Sequence, residues 1–156
     1  MARRFLILRA GRHERKPWEV LCGDYRRRIE RMADIEDRLL KTRGDGPARM
    51  RAEGQAILHA LPNPCWTIAL DPRGKAWSSE RLSKELTRLR DEWPHPVAFV
   101  IGSDLGVDAA VLEQARVRLS FGPMIFGHEL ARLMLYEQIY RALSIERGIK
   151  YHRESF

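Results

Sequence analysis

Apolar positions in this chain fall into two rhythms. Short continuous runs, buried on both faces if they are strands, occur at Phe5-Leu6-Ile7-Leu8, at "CWTIAL" (65–70) and at "PVAFVIG" (96–102). Between them lie stretches whose apolar residues recur at helical spacing. Residues 17–32 open with Pro17 and carry Val20, Leu21, Tyr25 and Ile29 on one stripe. Residues 47–60 follow the glycine-rich, basic loop "TRGDGPARMR". Ser78-Ser79-Glu80 caps a helix with Leu82, Leu86 and Leu89 inside, broken before Pro94. His128 to Arg147 forms a last long helix with Leu130, Leu133, Met134, Ile139 and Leu143 as its apolar set. Weaker signals predict a strand at Ile35–Leu40, a short helix near 107–115 and a strand at Val117–Leu119. "DPRGK" (71–75) carries turn chemistry and is expected to end the third strand.

Strands alternating with helices, each strand apolar on both faces, predict an α/β fold with a mainly parallel sheet flanked by helices. With 156 residues, no internal repeat and no low-complexity linker, the chain reads as a single domain, 1–156. Ligands of such sheets bind beyond the carboxyl ends of the strands. That rule selects the loops after Leu70 and at Gly102-Ser103-Asp104-Leu105-Gly106. "GSDLG" lacks the spacing of a dinucleotide fingerprint, and its glycines also suit a tight strand-to-helix turn. "SFGPMIF" (120–126) is apolar without strand alternation. It is either a buried crossover or a backbone wall able to clasp a flat heterocycle.

Charge changes the picture. Lys and Arg number 28 against 21 acidic residues, a net charge of +7, which favours an anionic partner, nucleic acid first. The N-terminal apolar run is too short for a membrane span, and the protein is expected in the cytoplasm. Cys22 and Cys65 lack metal or redox spacing and read as two buried, reduced thiols. His13, His59 and His95 read as surface residues. Glu137 and Arg141 have the spacing of an intrahelical ion pair. No catalytic triad, metal-ligand cluster or carboxylate pair stands out. An enzyme built this way would position a reactive cosubstrate rather than supply a nucleophile.

One family unites these features. "FGPMIFGHELARLMLYEQIYRALSIERGIKYHR" (121–153) resembles the C-terminal signature of the ribosomal large-subunit methyltransferase H family: a loop, a histidine, a helix with "EQ-x-YRA", then "YHR". Upstream, "IALDPRGKAWSSERLSKEL" and "VAFVIGSDLG" are similar to that family's "LD-x-x-GK" and strand-glycine segments. The first strand and the helix around Tyr25 and Arg28 match more loosely. The resemblance implies a SPOUT-like fold with a C-terminal trefoil knot, acting as a homodimer. It implies methyl transfer from S-adenosyl-L-methionine to N3 of pseudouridine 1915 of 23S rRNA, in the large subunit or assembled ribosome.

By motif, Leu70, Gly102, Phe121, Gly122, Pro123, Met124, Ile125 and Phe126 would form the cofactor pocket. His152, Tyr151 and Arg153 would be catalytic, His152 moving a proton and Tyr151 orienting the base. His128, Arg132 and Arg141 would contact RNA, Arg132 or Arg153 holding a phosphate or the developing charge. Three positions depart from the pattern: Ser103 in place of a second glycine, Pro123 inside the loop, and Gly127 where proline usually precedes the histidine. These departures also fit a non-catalytic ribosome-binding or assembly protein that keeps the fold. A methyltransferase acting on another RNA, such as transfer RNA, is a further alternative; a nucleotide-binding oxidoreductase lacks its fingerprint.

Overall fold

The computed structural model describes residues 4–12 and 14–153; His13 and the last three residues lie outside them. Five strands form one parallel sheet: β1 (Arg4–Gly11), β2 (Asp34–Lys41), β3 (Trp66–Ala76), β4 (Val97–Ile101) and β5 (Val117–Ser120), in the order β2-β1-β4-β3-β5. Five helices connect and follow them: α1 (Lys16–Glu30), α2 (Gly46–Ala60), α3 (Ser79–Glu92), α4 (Ala109–Gln114) and α5 (His128–Arg147). Period-two alternation in the strands divides the core. Phe5, Ile7, Ile35, Ile68, Phe99 and Ile101 face α1, α3 and α5. Leu6, Leu8, Ala69, Ala98 and Val100 face α2 and α4. Both faces of the sheet are therefore covered, as a parallel sheet requires.

Local chemistry sets the element ends. Pro17 sits in the first turn of α1, where its missing N–H costs nothing. The Ser78 hydroxyl caps α3 by accepting from the Arg81 amide at 3.0 Å. Gly148 takes the left-handed conformation (φ 67°) that closes α5 and turns the tail back.

Three expectations are corrected. "DPRGK" does not end β3. The strand bulges after Leu70 and returns to register, so that Leu119 of β5 pairs with both Leu70 and Lys75. Pro72 lies in the bulge, its carbonyl accepting from the Ser120 hydroxyl at 3.0 Å, and a Cβ on Gly74 would strike the Arg118 backbone. Val20, Leu21 and Leu130 are not core: they are 61%, 50% and 39% exposed, because their helix faces turn away from the sheet. The helices bury Cys22 and Ile29, and Leu135, Tyr136, Ile139 and Leu143, instead. Cys22 is buried, its thiol pushed up to about 11 first by desolvation, but Cys65 is only half-buried. His59 and His95 are on the surface as expected.

One polar cluster lies inside the α1/α5 face. Asp37 shares a strand face with Ile35, so its carboxylate is buried. It accepts from Arg9 Nε at 2.9 Å, from Arg132 Nη2 at 2.7 Å and from the Tyr136 hydroxyl at 2.6 Å. Glu19 of α1 completes the cluster by pairing with Arg132. Burial alone would raise the Asp37 carboxyl; Arg9 and Arg132, helped by Tyr136, outweigh it and hold the group below its ordinary range.

A depressed folded value means that this stabilisation is fully present above the ordinary carboxylate value, about 3.9, and disappears as pH falls through the lower folded value. Asp37→Asn should therefore cost about 3–5 kcal/mol at neutral pH, because two buried guanidiniums lose the one fully buried carboxylate they share and keep only the more exposed Glu14 and Glu19. Urea unfolding checks this, and the variant's stability should depend less on pH below about 4 than that of the wild type.

Candidate active site

The carboxyl ends of β1, β2 and β4 open onto a small cleft bordered by Arg9, Gly11, Leu39, Gly102, His128 and Arg132. Three of the residues singled out from sequence meet here: Gly102 at the end of β4, and His128 and Arg132 on the first turns of α5. Gly102 has no room for a side chain, since a Cβ would strike the backbone of Gly106. The turn closes through the Gly106 amide, which donates to the Ser103 carbonyl at 2.9 Å, with Gly106 at φ 87°.

Ser103 is accommodated by a partner that the sequence pattern did not reveal. Its hydroxyl donates to Glu53 Oε2 at 2.7 Å and accepts from the Leu105 amide at 3.2 Å. Glu53, buried on α2, also accepts from Arg49 Nε at 2.9 Å, and Arg49 reaches on to Asp104. Arg49 and Ser103 thereby hold the β4–α4 turn against α2. Arg49, Glu53 and Ile57 share one helix stripe at intervals of four, the signal that could have exposed this pair.

The loop after β5 is the proposed cofactor wall. Ser120 anchors it: its hydroxyl contacts the Gly122 amide at 2.9 Å and the Gly122 carbonyl at 3.0 Å, with Gly122 at φ 119°. Leu70 and Phe121 pack on the core at its base. Pro123, Met124 and Ile125 are exposed, the last two at 74% and 89%, and Phe126 is half-buried. Among the described residues, no hydrogen bond engages the amides of Met124, Ile125 and Phe126. Free backbone donors between apolar side chains suit the edge and faces of a flat heterocycle.

Arg132 is corrected. It is 3% exposed, and its guanidinium is committed to Asp37 and Glu19. It organises the floor of the cleft and is not placed to hold a phosphate. His128 is exposed at the cleft's rim.

The tail forms a second cluster. Arg141 lies about 20 Å along the axis of α5 from His128. Arg141 pairs with Glu137 at 2.6 Å, the expected intrahelical pair, and its guanidinium stands 4.9 Å from the Tyr151 ring centroid. The Tyr151 hydroxyl donates to Glu137 Oε1 at 3.1 Å and lies 3.3 Å from the Tyr25 hydroxyl. Its ring meets Tyr140 edge-on at 4.7 Å. Burial first, then Tyr25 and Glu137, push the Tyr151 phenol well above its ordinary range, so it stays protonated.

His152 Nδ1 lies 3.0 Å from Arg141 Nη1, and Nε2 lies 2.7 Å from Glu80 Oε1. A guanidinium can only donate, so Nδ1 accepts and the ring N–H sits on Nε2, facing Glu80. His152 in turn is the main cause that lowers the Glu80 carboxyl. Arg153 is exposed. The structure thus brings Tyr151, His152 and Arg141 together. It shows no hydrogen bond or ring contact between these residues and the 121–126 loop.

A parallel sheet in this order, with a bulged third strand and a long helix after a glycine loop, defines the class: the chain matches the family model described as "Predicted SPOUT methyltransferase" over residues 4–152. A probable methyltransferase from Bordetella pertussis Tohama I shares the fold at 19% identity, with a TM-score of 0.59 over 91% of this chain and 96% of that one. Nearer in sequence are proteins named Ribosomal RNA large subunit methyltransferase H. The one from Dinoroseobacter shibae is 39% identical over 92% of this chain and 94% of its own. Its counterpart from Magnetococcus marinus is 37% identical over 96% and 99%. The chain belongs to this methyltransferase H family of SPOUT methyltransferases.

Ser103→Ala tests the support of the β4–α4 turn. Removing the hydroxyl strips a donor from buried Glu53 and should destabilise the protein by about 1–3 kcal/mol in urea unfolding.

Proposed function

We propose that this protein transfers the methyl group of S-adenosyl-L-methionine to N3 of a pseudouridine in 23S rRNA, at position 1915, within the large subunit or assembled ribosome. The observation that carries the reading is a match along almost the full length of relatives named Ribosomal RNA large subunit methyltransferase H. The site's chemistry agrees with it. The free amides at Met124–Phe126 and the flanking apolar side chains suit an adenosine clasp. When bound, that cosubstrate supplies an electrophilic methyl group on a sulfonium.

The chain's own residues must align the base, exclude water and take the N3 proton. His152 is built for the proton. When Arg141 releases Nδ1, the lone pair there becomes available, while Glu80 keeps hold of the Nε2–H and balances the charge that forms. Tyr151, locked by Glu137, offers a ring and a protonated hydroxyl to orient the base. Arg153, exposed beside it, is free to meet phosphate.

The reading includes a homodimer, in which one protomer's tail completes its partner's pocket. Exposed Val20, Leu21 and Leu130 on two adjacent helices, with Met124 and Ile125 on the loop, support such a covered face. It also includes a trefoil knot, which membership of the SPOUT methyltransferases supports. No described helix is long and apolar enough to cross a membrane, and the reading places the protein in the cytoplasm.

The test is methyl transfer from radiolabelled S-adenosyl-L-methionine to ribosomal particles from a strain lacking the gene, with the product mapped by mass spectrometry. One methyl at one pseudouridine is expected. No cofactor heat at millimolar concentration, and no transfer, would overturn the reading. His152→Ala should slow single-turnover transfer about 100-fold or more, with cofactor binding and sedimentation unchanged. An unchanged rate removes His152 from the chemistry.

A further inference from the structure

A concentration of cationic side chains lies beside the tail cluster, where the carboxyl ends of α1 and α5 meet. A groove of about 490 Å³ opens there, bordered by Arg27, Arg28, Arg31, Tyr140 and Ile149, with Asp24 as its acidic residue. Arg147 closes one end by donating to the Met32 carbonyl at 3.4 Å, and exposed Lys150 follows Ile149. Arg28 is engaged: it pairs with Asp24 at 3.1 Å and stands 5.6 Å from the centroid of the Tyr140 ring. Arg27 reaches Asp24 only at 3.7 Å and is 72% exposed. Arg31 is exposed and has no ion-pair partner among the described residues.

Helix ends attract some positive charge, because each carboxyl terminus carries about half a negative charge. Arg27, Arg28, Arg31 and Arg147 exceed that requirement, and one aspartate does not offset them. Arg27 and Arg31 stand a turn apart on one helix face, about 5–6 Å between Cβ atoms. That spacing lets the two guanidiniums hold neighbouring phosphates. The floor is continuous with the tail, since Tyr140 borders the groove on one side and meets Tyr151 at 4.7 Å on the other.

We propose that this groove is the docking surface for the phosphodiester backbone of the RNA next to the target nucleotide, with Arg27 and Arg31 as its phosphate ligands. The inference rests on the functional reading above and adds to it the surface that holds the substrate. The open shape suits a polymer of phosphates, because long exposed guanidiniums on a helix rim can follow a backbone. Tyr140 sets the direction, leading from the groove to Tyr151 and His152.

The experiment compares wild type with the double variant Arg27→Gln/Arg31→Gln, using ribosomal particles from a strain lacking the gene. The expected result is a KM for the particles raised at least 10-fold, with kcat and cofactor affinity within about twofold. Filter binding of the same particles over a salt series should show the log–log salt slope reduced by about 1.5–2, one lost contact per guanidinium. An unchanged KM and salt slope would overturn the proposal. So would a shift from dimer to monomer in sedimentation, which would assign the groove to a second copy of this chain. If wild type binds particles but transfers no methyl, the functional reading fails and the salt slope still tests the groove. If wild type does not bind particles at all, both fall.

Discussion

Asp37 draws four elements to one point. A carboxylate on the buried face of β2 cannot stay ionised without counter-charge, and burial alone would force a proton onto it. Arg9 from β1 and Arg132 from α5 supply that charge, Tyr136 supplies a neutral donor, and Glu19 from α1 balances the second guanidinium. The arrangement fixes the rotation of α5 about its own axis, since Arg132 and Tyr136 lie one turn apart and both must reach the same carboxylate. Everything proposed for the site hangs on that helix. Its first turn borders the cleft, its middle carries Glu137 and Arg141, and its far end turns the tail back. A helix held only by apolar packing could slide by a fraction of a turn; one keyed to a buried ion cluster cannot do so without exposing charge to hydrocarbon.

The elements that hydrophobic rhythm alone determines were legible. β1, β4, α3 and α5 fall where runs and periodicity predict them, because burial on both faces leaves few other patterns. The bulge of β3 was not legible. Asp71, Pro72 and Gly74 are turn residues in isolation, and only the pairing of Leu70 and Lys75 with Leu119 on either side of them keeps the segment within the strand. Val20, Leu21 and Leu130 satisfied the helical stripe yet stay exposed, for periodicity shows that a face is apolar without showing what covers it. Arg132 was misassigned for a related reason: an arginine near a ligand loop looks available until its carboxylate is known. Asp37 was the readable clue, a lone acid in step with Ile35 and Leu39 on an inward strand face.

The departures at the cleft look different once neighbours are in view. Ser103 adds a Cβ and a hydroxyl where the family pattern has glycine, and the hydroxyl becomes a donor to Glu53. A buried glutamate with a single arginine would leave one oxygen unpaired; Ser103 fills that place. Gly127 keeps a φ of −56°, a value proline also adopts, so losing the ring leaves the backbone path into α5 unchanged. Pro123 is exposed, and its missing N–H lies one residue before the three free amides. None of the three closes the clasp.

The tail shows why three neighbouring residues with similar chemistry do different work. Tyr151 is locked, its hydroxyl bonded and its ring held edge-on against Tyr140, so it can present a surface but not a charge. His152 has both ring nitrogens engaged, Nδ1 by Arg141 and Nε2 by Glu80. Arg141 is bonded to a carboxylate on one side and to a ring nitrogen on the other, and the carboxylate is the stronger partner. Arg153 is exposed, with no partner of its own among the described residues.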